Sequence, residues 1–458
     1  MKLRNSRATR IASILAVLLL VVSNGVLYAD DGPRLSRYRV TIENLSTGQP
    51  LSPPVAATHR GGIRMFRVGH LASPELEAIA EDGNEMPMFN LFNGSDKVTQ
   101  AVDIARPLTP SGKVVGDFTD SVTFDIQARL GDRLSLATML ICTNDGFTGL
   151  DRVMLPHSGS VVYYASGYDA GTEDNTELSA DIVDPCSGLG PAPLAGDPNG
   201  NEDAAVDTDP HQPIQHHPNI AGVGDLSVAD HGWRDPAVKV TITRLERYEV
   251  TITNLTDGQP LTPPVLATHN RRTDVFTVGE AASVGVQQIA ENGNPAPLLN
   301  AFANDPLVFD VVSGAAPLVP EDDPGNTGLA HSATFTIEAA RGFRGLSFVS
   351  MLICTNDGFT GLDSVRLPGR VGESVVFHAA GYDAGTEIST EDFADMVSPC
   401  QSLIGVSSGE SGTGVSNPAL AEGGVIHHHA GIQGGGDLLP DVHGWSDPVV
   451  EIVITRID

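Results

Sequence analysis

Aromatic side chains are scarce in this chain: Phe, Trp and Tyr make up 5% of 458 residues, and only two are tryptophan. Any large core must therefore be built mainly from aliphatic residues. Cations are also few, with 27 Lys and Arg against 57 Asp and Glu, for a formal charge of -30. Such a chain as a whole is repelled by nucleic acid and by anionic lipid. Its acidity suits both solubility and cation binding and does not choose between them. Beyond the first 29 residues no apolar run approaches the roughly 20 residues a membrane-spanning helix needs. HExxH, GxSxG, Walker and dinucleotide fingerprints are all absent, so the expectation is that the chain is not an enzyme.

What the N-terminus does contain is Lys2, Arg4, Arg7 and Arg10 ahead of an apolar run from Ile11 to Val22, with a small residue at Ala29. This predicts a secretory signal peptide over residues 1–29, an uncleaved anchor being the alternative. The protein is then expected to be secreted, periplasmic or at the cell surface, without a transmembrane span in the mature chain. The four cysteines divide as Cys142 with Cys186 and Cys354 with Cys400. In an exported chain one bridge per pair is the economical reading, and a catalytic thiol is its rival.

The strongest internal signal is a repeat. MLICTNDGFTGLD occurs at Met139 to Asp151 and again, letter for letter, at Met351 to Asp363; GYDAGTE occurs at Gly167 to Glu173 and at Gly381 to Glu387. Around these anchors two copies of one plan can be traced, over residues 34–245 and 247–458. Alternating segments such as Tyr38 to Ile42, Val122 to Ile126, Val161 to Ala165 and Val238 to Thr243 read as strands, and each has a counterpart in the second copy. Ser73-Pro74 caps one short helix that Asp82-Gly83 ends, and Ser283 to Gly293 repeats it. The stretches that follow, as far as Asp117 and Pro324, read as loops. Many short strands with one helix per copy predict an all-β chain of tandem antiparallel β-sandwiches with long loops.

Within the repeated stretch, Asp145 and Asp151 flank two glycines, as do Asp357 and Asp363. A tight loop bringing both carboxylates to one point would suit a hard cation such as Ca2+; the alternative is a turn in which Asp and Asn bond their own backbone. Histidines form a second candidate group: His59, His216, His217 and His231 in one copy, and His269, His427, His429 and His443 in the other. Three or four imidazoles per copy have the composition of a transition-metal site, although histidines in Gly-rich loops are commonly solvated or bonded to backbone.

The apolar strand running into TNDGFTGLD, followed by YDAGTE and a closing strand such as Ala237 to Thr243, resembles the spondin N-terminal domain family, which includes the domain found in F-spondin and mindin and in bacterial secreted proteins. The resemblance covers nearly all of both copies, and the two-copy form is similar to the bacterial branch. It implies a C2-like β-sandwich, a bound calcium near the aspartate loop and, in animals, adhesion to matrix or receptors. Asp145, Asp151, Asp357 and Asp363 match the acidic positions of the family loop, while Asp169 and Asp383 match the aspartate of YDAGT. Animal members carry proline, aspartate and tryptophan where this chain has Asn144-Asp145-Gly146, so a role for that tryptophan is not inherited. The leading expectation is a secreted, calcium-binding adhesion or binding protein whose partner is an extracellular or envelope protein or glycan. A structural cell-envelope component and a His/Asp metal-dependent hydrolase are the alternatives.

Overall fold

Alternation along the chain builds the strands. In β1 (Leu35–Asn44) Tyr38, Val40 and Ile42 turn inward and are buried while the residues between them face outward, as the two-residue period of a pleated strand requires. The computed structural model describes residues 35–190, 206–406, 412 and 416–458; the predicted signal peptide lies outside them. The first half continues with β2 (Val55–His59), β3 (Val98–Asp103), β4 (Ser121–Arg129), β5 (Arg133–Met139), β6 (Gly146–Met154), β7 (Ser160–Ala165), β8 (Gly167–Asp169), β9 (Gln215–His216) and β10 (Val238–Arg244). The second half repeats these as β11 (Glu246–Asn254), β12 (Val265–His269), β13 (Val308–Ser313), β14 (Ser332–Ala339), β15 (Gly345–Met351), β16 (Gly358–Arg366), β17 (Ser374–Ala379), β18 (Gly381–Asp383), β19 (His427–His428) and β20 (Val450–Arg456).

Each half is sandwich-like. In the first, a four-stranded sheet in the order β4-β1-β10-β7 faces a six-stranded sheet in the order β3-β2-β5-β6-β8-β9; the second half has the orders β14-β11-β20-β17 and β13-β12-β15-β16-β18-β19. All pairings are antiparallel. Between the sheets lie Val40, Ile42, Ile126, Leu136, Leu140, Val240 and Ile242, all essentially inaccessible. The interior between these two sheets is mainly aliphatic, while the few aromatics such as Phe92 and Phe147 are buried where the helices pack.

The helix at Pro74–Asp82 is where the sequence places it: Ser73 accepts from the Leu76 N–H and Gly83 closes it at φ 64°. The structure corrects two details. Each half holds a second helix, Met86–Asn93 or Ala296–Ala303, followed by β3 or β13, in stretches read as loop. Met88 and Phe92, one turn apart, bury that helix with Leu76 and Ile79 against the sheet; the segment is too short for its period to stand out. And the repeated stretch is mostly strand, since only Leu140 to Asp145 forms the turn before β6 begins at Gly146.

Leu245 alone separates β10 from β11. Across the junction Arg37 and Arg39 reach Glu338 at 3.2 and 2.9 Å, and the Arg39 guanidinium lies 5.2 Å from the centre of the Phe309 ring. Within each half a disulfide ties the turn before the repeated strand to a short helix, Cys142 to Cys186 and Cys354 to Cys400. With sequence separations of 44 and 46, the chain-entropy model gives about 4 kcal/mol for each closed loop. Replacing Cys142 and Cys186 together by alanine should lower the unfolding free energy measured by urea denaturation by up to about that amount. A double variant as stable as the parent would show that the bridge contributes nothing to stability.

Candidate functional site

The turn Leu140 to Asp145 is closed by Thr143, whose hydroxyl accepts from the Gly146 N–H at 2.9 Å. This sets Asp145 at the mouth of β6, beside β8, where Gly146 is registered with Asp169. The Asp145 carboxylate is buried, and its Oδ2 accepts from the Thr172 N–H at 2.8 Å, the Glu173 N–H at 3.2 Å and the Thr172 hydroxyl at 3.3 Å. Asp357 repeats the arrangement with Thr386 and Glu387 at 2.7 and 3.0 Å. The two identical heptapeptides are thus the socket for the aspartates of the two identical turns. Gly167 and Gly381 open these heptapeptides because a Cβ there would stand 2.6 and 2.9 Å from the indoles of Trp233 and Trp445.

The other oxygen of each aspartate has no such partner. Oδ1 of Asp145 and Oδ1 of Asp357 are buried without a hydrogen bond among the described residues. Glutamates crowd the same place. Glu173 and Glu81 are buried near Asp145, as are Glu387 and Glu291 near Asp357. Desolvation, reinforced by neighbouring carboxylates, lifts Asp145 to about 6, Glu81 to about 8 and Glu173 to about 10. The same causes lift Asp357 to about 6 and Glu387 to about 7, the latter held lower by an N–H from Asn417. Sequence reasoning missed all four glutamates. The signal was present: Glu173 and Glu387 end the identical heptapeptides, and Ile-Ala-Glu recurs at the same turn of the two matching helices.

Asp151 goes elsewhere. Six residues along an extended strand is about 20 Å, and the residues from Gly146 to Asp151 are all in β6. Asp151 and Arg152 together oppose the single residue Ser135 of β5, between the pairs Leu134–Val153 and Leu136–Leu150, which is a β-bulge. Arg152 has φ 59° there, and its N–H donates to the Ser135 hydroxyl at 2.9 Å. Asp151 accepts from the Met65 N–H and from Arg64 at 3.1 and 2.7 Å. His59 completes the cluster, with Nε2 2.8 Å from the Ser135 hydroxyl. Asp363, Ser347 and His269 form the same arrangement. The expected convergence of Asp145 with Asp151, and of Asp357 with Asp363, is therefore corrected: the intervening residues form a strand, not a loop. Asp169 and Asp383 do lie beside Asp145 and Asp357, but they are engaged by Gly171 and Asn175 and by Gly385.

The histidines are not brought together either. His216 lies over Tyr168; His217 stacks beside Trp233 and accepts from the Asn219 N–H; His231 accepts from the Ser227 N–H. His429 and His443 repeat the last two with the N–H groups of Gly431 and Leu439, and His427 is exposed, 3.8 Å from Asp383. Among the described residues no three His, Cys, Asp or Glu side chains form a ready-made metal cage. The carboxylates at Asp145 and Asp357 are charge neighbours, not an assembled coordination shell.

The spondin N-terminal family (Spondin_N) matches residues 261–404, a span from β12 to the helix carrying Cys400. That segment is a spondin N-terminal domain, and it contains Asp357, Asp363, Asp383 and Glu387. No curated protein matches the chain. Among the described residues no helix is long and apolar enough to cross a membrane.

Carboxylates whose folded pKa lies above the unfolded value hold protons in the folded state that the unfolded chain has released. Their stabilising contribution is complete below the ordinary carboxylate range and is lost as pH rises through the raised values. In the presence of a chelator, denaturant melts should therefore show stability falling from pH 5 to pH 8. A flat or rising profile would mean that the buried carboxylates have compensating partners.

Proposed function

We propose that the chain is an extracellular binding protein in which each half uses its buried carboxylate cluster to hold a calcium ion. The observation that carries this reading is the orphaned Oδ1 of Asp145 and of Asp357. A buried acceptor without a partner costs roughly 1–3 kcal/mol, more when charged, yet both halves keep it at the same place. An oxygen-rich cluster at the end of a strand has the donor chemistry of a calcium site. Asp145, Glu173 and Glu81 would hold the ion in the first half, and Asp357, Glu387 and Glu291 in the second. A bound cation would offset the mutual repulsion that adds to desolvation in raising Asp145, Glu81, Glu173, Asp357 and Glu387.

Binding rather than catalysis is the role we infer. The Asp151, Ser135 and His59 constellation has the residue types of a hydrolase, but Ser135 and His59 are buried and the three together stabilise a bulge. The spondin domain and two disulfides fit an extracellular module that acts by adhesion; its partner, protein or glycan, is met through the surface.

A cation bound only by the folded state stabilises it by about 2.7 kcal/mol at a hundredfold excess over its dissociation constant, which for domains of this size is on the order of 5–10 °C in Tm. Calcium should raise the melting temperature at pH 7.5 by about that much and a chelator should reverse it. Glu173→Gln combined with Glu387→Gln should remove most of the calcium response. Asp151→Ala should lower stability equally with and without calcium, because its partners belong to the bulge. A melt indifferent to calcium at pH 7.5, with no calcium found by metal analysis, would overturn the reading.

A further inference from the structure

Cations are rare in this protein, yet several of them gather at the far end of the first half from the carboxylate cluster. Two depressions adjoin there. One, of about 210 Å³, is lined by Tyr38, Arg129, Leu130, Arg133, His157 and Arg244, among others. The second, an open cleft of about 300 Å³, is lined by Arg64, Arg133, Asp151 and Arg152. Arg133 lines both, so the two depressions meet at that residue. Five arginines line them against Asp132 and Asp151, and the C-terminal Asp458 acts electrostatically on Arg244 from one side. Arg60, near Asp132 at 3.7 Å, and Lys97, beside Gly62, extend the positive rim.

Two guanidinium groups in this groove are only partly satisfied; Nη1 of Arg244 donates to the His157 carbonyl at 2.9 Å. The Nε atoms of Arg129 and Arg244 are buried without a hydrogen-bond partner among the described residues. A donor left dry and unpaired is costly, and the planar guanidinium that carries it offers further N–H groups suited to an oxyanion. The second half does not rebuild this groove. By sheet register Arg129, Arg133 and Arg152 correspond to Ala340, Gly345 and Ser364, and by sequence Arg64 and Lys97 correspond to Asp274 and Leu307. Its own cations at that end include Arg271 and Arg272, on the loop where the first half has Gly61 and Gly62, and Arg344 and Arg456, which are paired with Glu246; Arg456 keeps the register place of Arg244.

We propose that this groove binds a sulfated or uronic-acid-bearing glycan chain. A row of arginines across two linked depressions fits a linear ligand with anionic groups at intervals better than a single ion. A bilayer fits less well. Leu130 and Met154 project from the rim, but two apolar side chains give little insertion energy, and the rest of the chain is strongly negative. The glycan meets this arginine-lined surface, and its binding weakens steeply with salt.

The test uses the full disulfide-bonded chain and the Arg129→Ala, Arg152→Ser double variant. Both replacements are the residues that the second half carries at the same register, Ser364 at φ 52° included, so the fold accommodates them; an unchanged melting temperature verifies this. Heparin is the probe, measured by titration at 50 and 150 mM NaCl, with Arg271→Ala, Arg272→Ala as the control. The expected result is heparin binding that weakens at the higher salt, at least tenfold weaker in the groove variant and unchanged in the control. Absence of heparin binding at 50 mM NaCl would overturn the proposal, as would equal binding by the groove variant. Tighter binding to phosphatidylserine vesicles than to heparin would assign the groove to a membrane instead. Competition by free sulfate at the same sulfate concentration would reduce the site to one for a single anion.

Discussion

Each half is organised around a carboxylate that is buried and only half satisfied. Asp145 and Asp357 take two backbone amides and a hydroxyl from the GYDAGTE turn on one oxygen, and this joins the mouth of the fourth strand of the six-stranded sheet to the turn after the fifth. Charge-assisted bonds of this kind are stronger than neutral ones, and they are made where water is excluded. Because the two partners are the two most faithfully repeated stretches in the chain, the interaction accounts for why those letters recur in both copies.

The neighbouring turns are built onto this clamp. Gln49 donates to the carbonyls of Cys142 and His231 and accepts from the Cys142 N–H; Gln259 makes the same three bonds to Cys354 and His443. The disulfide then holds the other side of the turn. Three independent constraints thus converge on one short segment, and the second oxygen of the aspartate is left facing the glutamates.

The first half is electrically polarised along β6, from carboxylates at its beginning to arginines at its end. The second half keeps the carboxylate end but places its arginines differently at the other, with Arg344 and Arg456 paired to Glu246. The two copies thus retain one end and diverge at the other. The junction at Leu245, with Arg37 and Arg39 held by Glu338, keeps the two surfaces in a set relation.

Much of the fold was legible because it depends on local periodicity. Alternation identified the strands around Tyr38, Val122, Val161 and Val238; the Ser73-Pro74 and Gly83 signals bounded the first helix; and cysteine placement within each copy identified the bridges. The helix at Met86 escaped because two buried residues one turn apart make too weak a pattern. The site was legible in its location but not in its membership. Asp145 and Asp357 stood out by repetition, whereas Asp151 was grouped with Asp145 because sequence distance cannot distinguish a tight loop from a strand that carries the residues about 20 Å apart. Glu81 and Glu173, 92 positions apart in number, meet only when helix and turn pack on the same sheet end. The sequence by itself determined the repeat, the strands and the acidic chemistry, all of which follow from residue type and near-neighbour spacing. Tertiary structure decided which carboxylates share a site and which arginines share a groove, because burial and long-range register, not spacing, bring those groups together.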